Sequence, residues 1–229
     1  GQMRISNDPF DLRHKLNGIV KLMEPVAEKK GLSVEIDFAP EIPPYIVGDA
    51  LRLRQIVLNL LGNAIKFTED GGVRLVAKQI DSGRKLAIDV IDTGIGIPSE
   101  KLDAIFKHFT QADGTIARRF GGTGLGLTIS NELAKMMDGE LLVSSELGHG
   151  SVFTLRLPLL RANGDRIESA RTPRSERALT FARPPRILVA EDHDINQALI
   201  ISMASRIGLA VDIAENGEEV VRLVTDAQA

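Results

Sequence analysis

The stretch from Asp49 to Phe67 constrains this chain more than any other. Leu53, Ile56, Val57, Leu60, Leu61, Ala64 and Phe67 recur at helical spacing, and no proline interrupts them. Asp49 stands where an N-cap belongs, so the pattern predicts a helix over 50–67 with one apolar face committed to a core. At roughly 100° per residue, Asn59, Asn63 and Lys66 form a narrow polar stripe beside that face, flanked by Arg52 and Gln55. Two amide oxygens and an ammonium in that arrangement suit a metal-bound polyphosphate, because amide oxygens are hard ligands and lysine offsets phosphate charge. The same residues also fit an ordinary solvated helix face, so the stripe needs support from elsewhere in the chain.

The surrounding segments alternate between helical and strand periods. Apolar spacing over 11–30 (Leu12, Leu16, Ile19, Val20, Leu22, Met23, Val26) predicts a helix that Gly31 stops. Leu32 to Phe38 alternates as a strand, and Pro40, Pro43 and Pro44 mark a loop before Asp49. After Gly71-Gly72, strands over 73–80 and 85–92 are joined by the Asp81-Ser82-Gly83 turn. A short helix over 99–106, a polar glycine-containing segment to Gly122, a helix over 123–138, and strands near 140–145 and 151–158 complete the pattern. The order predicts a two-layer α/β sandwich over 8–160, with three main helices on one face of a mostly antiparallel sheet.

Beyond Arg161 the pattern changes. Arginines interspersed with Ser, Thr and Pro suit a flexible, solvated linker over 161–185. The apolar run Ile187-Leu188-Val189-Ala190 then reads as a buried strand ending in Glu191-Asp192. A helix over 194–207, a strand over 210–214 and a helix from Gly217 follow. That β-α-β-α order over 186–229 begins a doubly wound, flavodoxin-like parallel fold, with no third strand in the sequence. Residues 1–7, opening Gly1-Gln2-Met3, are expected to be a tag or linker remnant.

Composition narrows the function classes. The 229 residues are 43% hydrophobic and 4% aromatic with a formal net charge of −3, which argues against a nucleic-acid binder or a polybasic membrane surface. The absence of cysteine excludes a disulfide framework, a thiol nucleophile and cysteine-ligated metal sites. No apolar run approaches a bilayer span, so a cytoplasmic location without direct membrane contact is expected for this segment, within a parent that can itself be membrane-anchored.

Two further motifs are candidates for the same chemistry, although an ordinary Asp-Thr-Gly turn accounts equally for the first and a hinge or close helix packing for the glycines of the second. Val90-Ile91-Asp92-Thr93-Gly94-Ile95-Gly96-Ile97 follows a predicted strand. Asp92 can accept a hydrogen bond from the exocyclic amine of adenine, whereas guanine presents a carbonyl there. Gly94 and Gly96 let the backbone approach a flat base. Then Arg118-Arg119-Phe120-Gly121-Gly122-Thr123-Gly124-Leu125-Gly126-Leu127 leads into a helix, where exposed amides can hold phosphate and Arg118 or Arg119 supply countercharge. It is neither a P-loop, since no Gly-Lys-Ser/Thr follows, nor a dinucleotide fingerprint.

The ordered set closely resembles the catalytic domain of histidine kinases. Asn59-x-x-x-Asn63, Asp92-x-Gly94-x-Gly96, Phe106 with Phe109, Gly122-x-Gly124-x-Gly126, and Gly148-His149-Gly150-Ser151 are similar to its N, G1, F, G2 and G3 boxes over about 8–160. The resemblance implies the fold shared with gyrase-like ATPases, binding ATP with Mg²⁺ between the second helix and a lid over about 98–122. It implies that Asn63 ligates Mg²⁺, that Asn59 and Lys66 assist at metal and phosphates, and that Asp92 reads adenine. Gly94, Gly96, Gly122, Thr123, Gly124, Leu125 and Gly126 would shape base and phosphate pockets, with Arg118 and Arg119 beside them. Lys107-His108 depart from the Glu-Pro or Glu-Arg usual in relatives.

Residues 186–229 resemble the start of a receiver domain of a hybrid sensor kinase. That resemblance implies that Glu191 and Asp192 hold Mg²⁺ weakly, while the phosphoacceptor Asp of such domains lies after a third strand not contained here. It also implies a homodimeric parent, a phosphoacceptor helical hairpin that this sequence does not contain, and receiver or phosphotransfer proteins as partners. None of His14, His108, His149 and His193 carries the surroundings of a phosphoacceptor or a metal-ligand spacing. Related ATPases that hydrolyse ATP place a glutamate where this chain has Asn59, which argues against hydrolysis. The intact boxes argue against a degenerate, purely nucleotide-sensing module.

Overall fold

The computed structural model describes residues 4–102, 104–106, 126–162, 185–192, 194–206 and 208–228. They fall into two compact units, Gly1–Pro173 and Arg174–Ala229. In the first, β1 (Asp8–Asp11) leads into α1 (Leu12–Glu28), followed by β2 (Ser33–Phe38), β3 (Tyr45–Gly48) and α2 (Ala50–Phe67). Then come β4 (Gly72–Ile80), β5 (Lys85–Asp92), α3 (Gly126–Met136), β6 (Glu140–Glu146), β7 (Gly150–Pro158) and β8 (Leu160–Arg161).

The main sheet has the order β2-β4-β5-β7-β6. β2 runs parallel to β4 and the other neighbours are antiparallel. Alternation puts Leu75, Ile88, Val90, Phe153 and Leu155 inward, and all are buried. Against this face, α1 contributes Leu12, Leu16 and Met23, and α2 contributes Leu53, Ile56, Leu60, Leu61 and Ile65, all essentially inaccessible to solvent. α2 packs on α1, α3, β4 and β5, which makes it the hub of the layer. The expected α/β sandwich is therefore the observed one.

Three local expectations need correction. β1, β3 and β8 form a second, three-stranded antiparallel sheet where the proline-rich segment suggested only a loop. Phe10, Ile46 and Val47 bury their side chains there, and such short strands gain stability from a partner distant in sequence, which periodicity cannot reveal. The helix expected over 99–106 is a 3₁₀ turn, Ser99–Lys101, followed by further turns; a segment this short seldom sustains an α-helix without packing. The first helix ends at Glu28 rather than near residue 30, with Gly31 at φ +71° and the Leu32 N–H reaching back to the Ala27 carbonyl.

α2 is fastened at both ends. Asp49 is buried, and its Oδ1 accepts from the backbone N–H of Leu51 (3.1 Å) and Arg52 (2.9 Å). Its Oδ2 accepts from the Ser6 N–H (3.0 Å). At the other end Lys30 Nζ donates to the carbonyls of Ile65 (2.7 Å), Lys66 (3.0 Å) and Thr68 (2.9 Å), placing a cation where the helix dipole is negative. Burial lowers the Lys30 pKa, and the Glu69 carboxylate partly restores it.

The second unit contains β9 (Ile187–Ala190), α4 (Asp194–Arg206), β10 (Val211–Ala214) and α5 (Gly217–Gln228). β9 and β10 pair in parallel, from Val211 opposite Ile187 to Ala214 opposite Ala190. The β-α-β-α order is the one expected.

The Asp49 cap gives a stability prediction. Asp49→Ala removes the acceptors for three backbone N–H groups and should cost ~1–2 kcal/mol. Urea unfolding should show a lower midpoint at unchanged m-value, with Asp49→Asn losing less.

Candidate functional site

Asp92 is the last residue of β5, and its side chain shares the inward row with Val73 on one neighbouring strand and Ser151 on the other. It is 6% exposed. Its Oδ1 accepts from the N–H of Gly94 (2.9 Å) and of Ser151 (3.2 Å). Among the described residues nothing donates to Oδ2, so the backbone occupies one oxygen and the other is available to an incoming donor. Burial raises the Asp92 pKa, while the two backbone N–H bonds pull it back in part.

The segment after Asp92 is tied down on both sides. The Ile95 N–H donates to the Phe67 carbonyl at the end of α2 (3.2 Å), and Gly94 lies against the same carbonyl. On the other side the Gly148 N–H donates to the Ile95 carbonyl (2.8 Å) and the Ile97 N–H to Ser145 Oγ (2.8 Å). Gly96 has φ +69° and passes so near the β6–β7 hairpin that a Cβ would sit 2.0 Å from the Glu146 carbonyl oxygen, so both conformation and space demand glycine.

On α2, Asn59, Asn63 and Lys66 are half-buried, while Leu60, Leu61, Ala64 and Ile65 beside them are buried. The stripe thus borders the core as its spacing predicts. Asn59 Nδ2 donates to Ser130 Oγ on α3 (2.9 Å), which orients the amide. Gly126 opens α3 directly against Asn59: a Cβ there would lie 2.3 Å from Asn59 Oδ1, so only glycine leaves that space open. Lys66 Nζ lies 5.3 Å from the centroid of the Phe67 ring, and burial lowers its pKa. A partly desolvated ammonium beside oriented amide oxygens fits an anion carrying a hard cation, so this donor set accommodates Mg²⁺ and phosphate.

The structure therefore brings together the α2 stripe, the Asp92–Gly96 segment, Gly126 and the Gly148–Ser151 turn. Arg118, Arg119, Gly122, Thr123, Gly124 and Leu125 lie outside the described residues, as do Lys107, His108 and Phe109. A cleft of about 330 Å³ is lined by Ile97–Glu100 and Ser145–Leu147 and includes no stripe residue. His14 is exposed, and its backbone N–H donates to Asp11; His149 is exposed in the hairpin turn. In the second unit Glu191 Oε1 accepts from Asn196 Nδ2 (2.9 Å), and Asp192 is exposed. No cluster of three or more His, Cys, Asp or Glu capable of holding a metal occurs among the described residues, and no helix among them is long and apolar enough to cross a membrane.

Sequence reasoning missed Ser130, Ser145 and Lys30. Ser145 did carry a signal: in β6 it takes an inward position after Leu141 and Val143, where an apolar residue would be expected.

Comparison with known proteins agrees with this geometry. Residues 48–161 match the family of histidine kinase-, DNA gyrase B- and HSP90-like ATPases. The chain is 34% identical over 223 residues to the autoinducer 2 sensor kinase/phosphatase LuxQ of Vibrio cholerae, covering 96% of this chain and 26% of that protein. It is 42% identical over 162 residues to the signal transduction histidine-protein kinase BarA of Escherichia coli K12, covering 69% of this chain and 18% of that protein. Among solved structures, full-length ShkA in complex with AMPPNP aligns with a TM-score of 0.64 and 31% identity, covering 97% of this chain and 43% of ShkA. The catalytic domain of the histidine kinase ThkA aligns with a TM-score of 0.57 and 25% identity, covering 68% of this chain and 96% of that domain. The chain belongs to this family, and its first unit is a histidine kinase catalytic, ATP-binding domain. It spans about a quarter of the length of LuxQ.

The buried carboxylate gives a paired prediction. Because the folded-state pKa of Asp92 lies above its unfolded value, the folded chain takes up this proton first as pH falls. The buried charge thus destabilises the ligand-free fold at neutral pH, and acid relieves that cost as pH drops through the raised value. Asp92→Asn should therefore melt, without nucleotide at neutral pH, no lower than wild type, while its ATP affinity falls by ~1.5–3 kcal/mol. Thermal scans with and without Mg·ATP measure both effects.

Proposed function

We propose that the first unit binds Mg·ATP and donates the γ-phosphoryl group to a histidine on the dimerisation hairpin of a hybrid sensor kinase. The observation that carries this proposal is Asp92, with one oxygen occupied by backbone and the other open, beside the end of the helix bearing Asn59, Asn63 and Lys66. Asp92 Oδ2 accepts the adenine amine, Asn63 and Asn59 offer amide oxygens to Mg²⁺, and Lys66 faces phosphate. Mg²⁺, when bound, neutralises charge that develops across the transferred group. Gly94 and Gly96 shape the base pocket and Gly126 the approach to Asn59; Arg118, Arg119, Gly122, Thr123, Gly124 and Leu125 complete the phosphate side. Asn59 is an amide whose nitrogen is engaged by Ser130, so it supplies no general base to activate water, and ATP turnover by this chain alone is slow.

The relatedness to ShkA, whose structure contains AMPPNP, supports the nucleotide, and LuxQ and BarA support the sensor-kinase setting. On the same reading, the parent is a homodimer that passes phosphate to receiver or phosphotransfer proteins, and this segment works in the cytoplasm without contacting nucleic acid. The second unit is the beginning of a receiver domain. Its parallel β9–β10 pair, and Glu191 and Asp192 at the end of β9, support that assignment and a weak Mg²⁺ site.

Two measurements test the proposal. ATP or ADP should raise the melting temperature of this chain and GTP far less; equal stabilisation by both would remove the adenine-reading role of Asp92. Incubation with γ-labelled ATP should leave His14 unlabelled and release phosphate slowly, whereas adding the parent kinase's isolated helical hairpin should produce acid-labile label on that hairpin. Asn63→Ala should abolish this transfer while preserving the fold, since Asn63 lies outside the buried set.

A further inference from the structure

Three inward-facing polar side chains lie in one row across the main sheet. Asp92 on β5 pairs with Ser151 on β7, and Ser151 pairs with Ser145 on β6. Everywhere deeper along these strands the row positions are apolar: Val90, Phe153 and Val143 form the next row, and Ile88, Leu155 and Leu141 the one after. A break in the apolar pattern confined to the row that holds the base-reading carboxylate calls for an explanation. The hydrogen bonds of Ser145 provide one.

Ser145 Oγ has three neighbours: the Ile97 N–H at 2.8 Å, the Gly150 carbonyl at 2.8 Å and Ser151 Oγ at 2.9 Å. A hydroxyl has one proton and two lone pairs. The carbonyl can only accept, so the Ser145 proton goes to Gly150. The amide can only donate, so it occupies one lone pair of Ser145. The remaining lone pair can be satisfied only by the Ser151 proton. The directions of all three bonds follow from the two backbone groups, and the Ser151 hydroxyl is left with lone pairs alone for any other partner.

We infer that Ser145 is a specificity-determining positioning residue: by drawing the Ser151 proton away from Asp92, it keeps the base-reading end of the pocket an acceptor-only surface. Ser151 is buried beside Asp92, to which its own backbone N–H donates. An acceptor-only pair welcomes a purine carrying an amine at its 6-position and disfavours one carrying a carbonyl there, which would leave buried acceptors facing each other. Without Ser145, the Ser151 hydroxyl can rotate and donate, and a 6-carbonyl gains a partner. The inference rests on the proposed adenine-reading role of Asp92.

The test is the ratio of ATP to GTP dissociation constants, measured by titration calorimetry with Mg²⁺ on the whole chain. Ser145→Ala should narrow the ratio several-fold, with ATP affinity falling while GTP affinity holds or rises. Ser145→Thr, which keeps the hydroxyl, should retain the wild-type ratio. Ser145→Ala combined with Ser151→Ala should recover discrimination relative to Ser145→Ala alone, because the freed donor is gone. A merely structural role, in which losing the Ile97 contact loosens the loop, would weaken both nucleotides equally and leave the ratio unchanged in Ser145→Ala. That result would overturn the inference, and so would a ratio that the double variant fails to recover. Asp92→Asn separates the two levels. If it leaves the ratio intact, the adenine-reading role itself fails; if it collapses the ratio while Ser145→Ala does not, only the inference fails.

Discussion

The candidate site depends on how firmly α2 is held. One face of this helix fills the centre of the helical layer, touching α1, α3 and the sheet, while its border carries Asn59, Asn63 and Lys66, the side chains proposed to meet metal and phosphate. A rigid element is the right place for such groups, because a small rotation would move the amide oxygens off target without breaking the core. The two ends of α2 resist that rotation. Asp49 satisfies N–H groups at its start, and Lys30, from the end of α1, satisfies three carbonyls at its finish. The helix dipole, the capping charges and the apolar face all favour one orientation.

The same end of α2 organises the base-reading loop. The Phe67 carbonyl receives the Ile95 N–H, and the hairpin between β6 and β7 holds the loop from the other side. Asp92 is thereby fixed between two backbone donors, in a place where its charge is costly without a ligand. Stability is given up there for a preorganised acceptor, a trade common at binding sites. The row Asp92–Ser151–Ser145 extends this logic: along β5, β6 and β7 polar groups enter the inner face only at this end, and each is satisfied or directed by backbone.

Much of this was legible in the residues themselves. Helical and strand periods are local properties, set by how a single element must face a core, so α1, α2 and the strands of the main sheet were recoverable from spacing. The Asp49 cap, the stop at Gly31 and the inward-bordering stripe of Asn59, Asn63 and Lys66 follow from the same local rules. Asp92 at a strand end beside glycines was likewise visible as a candidate, and the ordered motifs identified the family. What the tertiary structure decided was which distant groups meet. The β1–β3–β8 sheet, the Lys30 clamp on α2, the contact of Gly126 with Asn59 and the Ser145 hydrogen bonds all join residues far apart in sequence. No periodicity encodes such pairings. Strand register and the satisfaction of buried polar groups are settled only when the layers close on each other, and there a serine whose sequence position shows only that it interrupts an apolar row becomes the acceptor that sets its neighbour's proton.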